Sequence, residues 1–520
     1  MSAPTAALNR RTGGWTAWLR ALPWDLLAGV SVAMIAIPQS LAYAPLAGMP
    51  PIVGLYAVAL PPVAAAFFAS SPYLQTGPVA VTALLTYGAL STMATPGSPE
   101  YVTLGYGLAL VVGVVRVLLG LLRGGWLAYL MSQPMLLGFV PAAAVLIAGS
   151  QTAKALGVPP PPFKSEIVNG GWALIHPGVW VPAAVVMTVI TALLILGGRK
   201  MNPLFPGVLV AVIAGITVSM LGWYHGPTVE SIPSSLPSLT VKEIPWGSMP
   251  KLVLSGVLIA LIGFTEAASI SRRFASEDRV RWSADREFIS QGVANITAAF
   301  AGGMPCGGSF SRSSVNRLAG ARSRASGAIT GLTVLAFLPF AAVLEPLPQA
   351  VLGAIVIVSV VTLMRFGPLI RIWRVSVPQA LIAWGTFAAT LVLAPRLDLA
   401  VMIGVGLSFG VFLWRMLHLE IDVYAEDTSI MFAPRGVLWF ATAQRLDDAL
   451  VEALAAHPAA VTLDIHLSRL GRIDTTGALV LRSVLDHARA VGLRADVSGV
   501  PPQSAPLLGR ILEPGTDPLA

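Results

Sequence analysis

Charge is what this sequence has least of. Asp, Glu, Lys and Arg together make up 11% of its 520 residues, against about 25% in an ordinary soluble domain. A soluble fold of this length could not cover its surface with so few charges, so the chain is built for a hydrocarbon solvent. Cysteine is nearly absent as well. The single Cys306 rules out an intrachain disulfide framework. The six histidines have no ligand-like spacing, and four of them (His418, His457, His466 and His487) fall in the C-terminal part, so neither a metal nor a cofactor is expected. A cleavable signal peptide is also missing from the reading. Arg10, Arg11 and Arg20 precede a polar, Trp-rich stretch with no small-residue cleavage site after a short apolar core, and the first apolar segment reads as a retained span.

Apolar residues fill the gap. They are 55% of the chain, and the mean hydropathy is +0.76. A helix needs about 20 mostly apolar residues to cross a bilayer. Fourteen candidate spans centre near Val32, Val58, Leu84, Val112, Val140, Val189, Val212, Ile259, Thr297, Val315, Leu335, Val356, Ala388 and Gly406. Pro38, Pro45, Pro50, Pro51, Pro61 and Pro62 are expected to interrupt the first two. In lipid such breaks are tolerated only where the freed backbone groups face protein or a water-filled cavity.

The net charge of +8 invites a nucleic-acid reading, but its distribution decides otherwise. With the N-terminus inside, the even-numbered span ends carry Arg123; Arg199 and Lys200; Arg272, Arg273, Arg279, Arg281 and Arg286; Arg317, Arg322 and Arg324; and Arg365, Arg371 and Arg374. The opposite loops carry only Lys154, Lys164, Lys242, Lys251 and Arg396. This is a positive-inside pattern. Both termini are expected to be cytoplasmic, and nucleic acid is not needed as a partner.

The chain changes character after Trp414-Arg415. From about Glu420 it reads as a small soluble α/β unit, with strands at Val461–His466 and Arg494–Ser498. A turn and capped helix start lie at Asp474–Ala478, and an amphipathic helix runs from Gly477 to Val491. The expected organisation is a cytoplasmic N-terminal segment (1–24), a transmembrane domain (25–416) and this C-terminal domain (420–520).

Four places carry polar chemistry inside the spans. In Ile37–Tyr43 (IPQSLAY), Gln39 and Tyr43 share a helix face at i, i+4. Gln39 either lines a site or hydrogen-bonds a neighbouring helix. Gln75–Ala80 (QTGPVA) and Gly302–Ser314 (GGMPCGGSFSRSS) are Gly/Pro turns that open spans three and ten in mid-membrane. Each would leave helix N–H groups unpaired, with the positive dipole end pointing into the protein. Two such ends facing one another make an anion site from backbone alone. They are the third spans of two successive sevens, and interrupted helices at matching positions of two halves point to a transporter's substrate site. Arg312 adds a full charge one turn inside the second break. It either faces an anion or snorkels to the cytoplasmic face. In Gly263–Ile270 (GFTEAASI), Glu266 is an acid within span eight, the mirror of span one; it could carry a proton or pair with Arg312 or Arg272. Arg116 in span four reads as snorkelling or paired, with no role assigned.

With these residues in place, the sequence resembles the SulP sulfate-permease family, also called solute carrier family 26. Pro38-Gln39-Ser-Leu-Ala-Tyr43-Ala is similar to that family's Pro-Gln-Gly-Met-Ala-Tyr-Ala signature. Thr76-Gly77-Pro78, Gly263-Phe-Thr-Glu266 and Gly308–Asn316 match its other landmarks, and Asp474-Thr-Thr-Gly477 looks like the motif of a STAS domain. The resemblance covers nearly the whole chain. It implies a polytopic α-helical membrane protein whose fourteen spans form a seven-plus-seven inverted repeat, with core and gate domains of the uracil-permease type and a small cytoplasmic α/β STAS domain. It further implies a homodimer, anion binding between the starts of spans three and ten, and an elevator-like motion of the core. Carried over by position, Gln39 and Tyr43 line the site from span one. Thr76, Gly77 and Val79 line it from span three, and Ser309, Phe310, Ser311 and Arg312 from span ten.

Two departures bear on mechanism. Sodium-coupled bicarbonate carriers of the family have an Asp and, four residues on, a Thr in span eight; Glu266 and Ile270 stand here, which favours a proton as the coupling ion. Thr476 stands where bacterial anti-sigma antagonists carry a phosphorylated Ser, so phosphorylation there is an open expectation, as is a cytoplasmic protein partner for the STAS domain. The leading expectation is a transporter and not an enzyme: proton-coupled symport of sulfate or a related small inorganic or organic anion, in a plasma membrane of the bacterial inner-membrane kind. A dicarboxylate or bicarbonate carrier, an uncoupled exchanger or channel, and a membrane-tethered signalling platform are the competing readings. Glu266 argues against a pure conductance, and the buried half-helix starts argue against a mere anchor.

Overall fold

The computed structural model describes residues 15–129, 132–159, 166–229, 231–238, 241–426 and 428–512. The predicted N-terminal segment up to residue 14, Lys164 and residues 513–520 lie outside them. The chain divides into two compact units, Met1–Val405 and Gly406–Ala520.

The first unit is helical except at two short extended breaks. Helix α1 (Trp15–Leu46) runs through Pro23, Pro38 and Pro45, and α2 (Pro51–Phe68) through Pro61 and Pro62. The expected interruptions are thus absent at Pro38, Pro45, Pro61 and Pro62, while Pro50 and Pro51 stand at the turn into α2. A proline inside a helix removes one N–H donor and disturbs one turn, and within a packed membrane bundle neighbouring groups make that tolerable. An extended strand β1 (Thr76–Gly77) leads into α3 (Ala80–Leu90). Then follow α4 (Pro99–Leu121), α5 (Gln133–Leu156), a short amphipathic α6 (Glu166–Ile175), α7 (Pro182–Met201) and α8 (Gly207–Met220). The sequence then runs through α9 (Met249–Glu277) and α10 (Ala284–Phe300) to the second break, β2 (Gly307–Gly308), and α11 (Phe310–Leu318). Helices α12 (Ala325–Phe337), α13 (Gln349–Val361), an amphipathic α14 (Phe366–Val375), α15 (Val377–Val392) and α16 (Leu397–Met416) complete the series.

Each of the fourteen predicted span centres falls inside a helix. Among the described residues, nine helices are long and apolar enough to cross a membrane on their own, and three shorter apolar ones join them. At 1.5 Å per residue, the 11 residues of α3 and the 9 of α11 reach about half the hydrocarbon thickness. Large apolar side chains lie bare on the outside, among them Phe67, Leu193, Met220, Leu381, Val392 and Phe409. In water such a surface would aggregate; in lipid it is the solvated face. Helices α6 and α14 were not counted as spans. Helix α14 packs Leu369 and Ile372 inward while Ile370, Trp373, Arg371 and Arg374 stay exposed.

The second unit holds α17 (Gln444–Ala456), α18 (Thr475–Ala490) and α19 (Ala505–Leu512) with a five-stranded sheet. Strand β3 (Glu420–Glu426) is antiparallel to β4 (Ser429–Leu438). Strand β5 (Thr462–His466) and β6 (Leu470–Ile473) each run parallel to β4, and β7 (Arg494–Ser498) runs parallel to β5. Ile430, Phe432, Leu463 and Ile465 from the sheet meet Leu446, Leu450, Leu481 and Leu485 from the helices. The strands read at Val461–His466 and Arg494–Ser498 lie within a residue of β5 and β7. Asp474 caps α18, its Oδ1 accepting the Gly477 N–H at 2.6 Å. On the outer strand, the guanidinium of Arg435 bonds Asp422 and holds that carboxyl below its usual range.

Candidate functional site

The two breaks of the helical unit meet. Strands β1 and β2 pair antiparallel, with Thr76 opposite Gly308 and Gly77 opposite Gly307. The Ser309 N–H donates to the Gln75 carbonyl at 2.9 Å, and the Gln75 N–H donates to Ser313 Oγ at 2.9 Å. Two chain segments more than 200 residues apart thereby bring the starts of α3 and α11 together.

The caps of the two helices differ. Val79, the N-cap of α3, offers no side-chain acceptor, so the first-turn N–H groups of α3 keep their hydrogen-bonding capacity. Ser309 caps α11, its Oγ accepting the Arg312 N–H at 3.4 Å. Both positive dipole ends point toward the paired strands, a field that favours an anion. Gly77 has φ +153, and a Cβ there would sit 3.0 Å from Val58 Cγ2 and 3.2 Å from Arg312 Nη2. A Cβ on Gly308 would lie 2.8 Å from Leu74 Cδ1 and 2.9 Å from Ala267 Cβ. The surrounding side chains can close on the two strands this tightly because the strands carry glycine.

Arg312 does not snorkel. It is 1% exposed, and its Nη2 donates to the Pro78 carbonyl at 2.8 Å, just before α3. Its Nε and Nη1 are buried with no protein acceptor among the described residues. A buried cation with open donors at the junction of two helix N-termini is an arrangement that an anion completes.

The other predicted residues are distributed as follows. Gln39 and Tyr43 are buried on α1, and both amide atoms of Gln39 lack a partner among the described residues. No interhelical bond is formed by Gln39 there. Thr76 is buried, its hydroxyl accepting from Gln291 Nε2 at 2.7 Å. Val79 and Ser309 are buried, and Ser311 is half-buried with its Oγ 3.3 Å from Ser309 Oγ. Phe310 is 44% exposed, with the Arg273 guanidinium 5.5 Å from the centre of its ring. Glu266 is half-buried on α9 and is in no ion pair among the described residues. The neighbouring Ala267 sets this turn of α9 against β2, since a Cβ on Gly308 would lie 2.9 Å from Ala267 Cβ. Thr476 is exposed in the first turn of α18.

Several polar residues that support this geometry were not picked out from the sequence. Gln291 orients Thr76, and Asn295, one turn on, holds the peptide of Cys306. Glu287 Oε2 accepts from the N–H groups of Ser70 and Ser71 and from Trp282 Nε1, fixing the approach to β1. Gln and Asn at i, i+4 inside the ninth apolar span were the available signal. Arg116 is fully buried rather than snorkelling.

The model of the sulfate permease family matches residues 22–386, and that of the STAS domain matches residues 420–511. Sulfate transporter 4.1, chloroplastic, of Arabidopsis thaliana is 31% identical over 412 residues, which are 76% of this chain and 59% of that protein. The chain therefore spans about three fifths of that relative's length. Probable sulfate transporter Rv1739c of Mycobacterium tuberculosis is 32% identical over 425 residues, 80% of this chain and 73% of the other. Among solved structures, that of SLC26A9 superposes with a TM-score of 0.82 at 18% identity, covering 95% of this chain and 88% of that one. At that identity the likeness is one of fold.

Proposed function

The chain belongs to the sulfate permease family, a family of anion transporters, and on that premise we propose that it carries out proton-coupled uptake of sulfate or a related small oxyanion. The observation that carries the reading is the meeting of two helix starts at β1 and β2 with the open donors of buried Arg312. Backbone N–H groups and one guanidinium recognise charge and oxygen acceptors rather than one molecular shape, and a tetrahedral oxyanion presents acceptors to both. The relatives' names supply sulfate as the first choice.

Coupling is assigned to Glu266. A bound anion and an ionised Glu266 repel each other across the site, so protonation favours anion binding, and linkage requires the anion to favour the proton by the same factor. The supporting observation is that Glu266, half-buried and in no ion pair among the described residues, is next in sequence to Ala267, which packs against β2. In this reading α3 and α11 belong to a core that moves the anion by an elevator-like displacement within a seven-plus-seven inverted repeat. The protein works as a homodimer in a plasma membrane of the bacterial inner-membrane kind, with both termini cytoplasmic.

The test is uptake of labelled sulfate, fumarate, bicarbonate and chloride into proteoliposomes, with and without an inward pH gradient. Wild type is expected to accumulate sulfate along the gradient. Glu266→Gln, which mimics the protonated acid, is expected to bind and exchange sulfate but to lose gradient-driven accumulation. A wild type indifferent to the gradient, or a mutant that still follows it, removes Glu266 from coupling.

A further inference from the structure

Besides Arg312, the helical unit buries a second guanidinium with no carboxylate partner among the described residues. Arg116 is 0% exposed on α4, and its acceptors among the described residues are backbone carbonyls. Its Nη1 donates to Cys306 at 2.8 Å, Nε to Ala260 at 3.1 Å and Nη2 to Ile259 at 3.3 Å. Asn295 completes the grip on the same residue. Its Oδ1 accepts the Cys306 N–H at 2.8 Å, and its Nδ2 donates to the Cys306 carbonyl at 3.1 Å.

Cys306 immediately precedes β2, whose two glycines have no side chains by which the strand could be held. The position of β2 against β1, and so of α11 against α3, depends on backbone pairing, on the Gln75–Ser313 and Arg312–Pro78 bonds, and on this clamp. The guanidinium and Thr82, in the first turn of α3, both border Gly263. A Cβ built on Gly263 would lie 2.6 Å from Arg116 Nη2 and 3.3 Å from Thr82 Oγ1. We infer that Arg116 is a positioning residue of the anion site, setting the start of α11 through Cys306 and adding a second buried positive charge behind the two helix starts. The inference rests on the reading of those starts as the anion site. A buried cation matched only by carbonyls is costly to the empty protein, and an anion in front of it recovers part of that cost.

A purely structural clamp and a charged one differ in how they respond to anion valence. The Coulomb contribution doubles for a divalent anion. If Arg116→Gln weakens a monovalent anion about threefold, a divalent one falls roughly tenfold. The experiment measures dissociation constants for sulfate and chloride in purified full-length protein, as wild type, Arg116→Gln, Arg116→Lys and Asn295→Ala, with monodispersity as the folding control. Arg116→Gln is expected to lower the sulfate-to-chloride preference. Arg116→Lys, which keeps the charge but not the fork, restores the preference even where both affinities fall, and Asn295→Ala weakens both anions by one factor. If only one anion binds, loss of its affinity in Arg116→Gln with recovery in Arg116→Lys is the readout. Unchanged affinities in Arg116→Gln overturn the role of Arg116 alone. If that variant does not fold, unchanged affinities in Asn295→Ala, which loosens the same clamp on Cys306, do so. A wild type that binds neither anion overturns the site itself.

Discussion

At the scale of single residues, the site is defined by groups that are buried and unfinished. Arg312 has one carbonyl acceptor and two open donor atoms, and Gln39 has none of its amide atoms paired among the described residues. Asp25, elsewhere in the unit, is a buried group with its partners in place. It accepts from the Arg322 and Ser323 N–H groups and from Ser323 Oγ. Buried donors without partners are rare in native proteins and cost free energy, so the two open donors of a charged side chain that already bonds Pro78, just after β1, mark where something else is bound. Arg312→Ala should therefore cost affinity more than fold. A charge-assisted hydrogen bond contributes about 1.5–3 kcal/mol, or roughly ten- to more than a hundredfold in affinity. Isothermal titration or thermal-shift measurement with sulfate on purified protein checks this; an unchanged dissociation constant would remove Arg312 from the site.

At the scale of elements, the two short helices matter because they start where they do. Helices α3 and α11 end the extended breaks, and their starts are held side by side by the pairing of Thr76 with Gly308 and Gly77 with Gly307. The pairing tolerates little bulk. A Cβ on Gly308 would meet Leu74 Cδ1 at 2.8 Å and the Ala267 backbone Cα at 3.1 Å, and a branched side chain adds atoms beyond it. Overpacking of this kind typically costs 1–3 kcal/mol, and here it is relieved most readily by moving β2 off β1. Gly308→Val is expected to leave helical content intact by circular dichroism while abolishing the sulfate-dependent rise in melting temperature, since ligand stabilisation follows the binding constant. A mutant that keeps the full rise would show that the register of the two strands does not set the site.

At the scale of the whole molecule, every residue assigned to anion binding lies in the first unit, and the STAS domain has its own core of Ile430, Phe432, Leu463, Leu481 and their neighbours. Truncation after Glu420 is accordingly expected to leave the sulfate dissociation constant within about threefold of wild type, a change of roughly 0.6 kcal/mol, while lowering expression or turnover. Loss of equilibrium binding in well-folded truncated protein would show that the site depends on the domain. Much of this organisation is legible in the sequence, for a physical reason. A hydrocarbon solvent imposes long apolar runs and an asymmetry of Arg and Lys, and Gly/Pro clusters mark where helices must start. The membrane class, the places of the helices on which the fourteen predicted centres fall, the switch to an α/β unit near Glu420 and the two breaks all follow from such local patterns. The tertiary structure alone decided which polar groups meet. Arg312 finds the carbonyl of Pro78 across 234 residues, and Arg116 finds that of Cys306 across 190. Neither partner is encoded by a spacing of two or of 3.6 residues. The prolines of α1 and α2 mislead for the same reason. Whether a proline breaks a helix or is carried through it depends on what packs around the freed carbonyl, and that is fixed only when the helices come together.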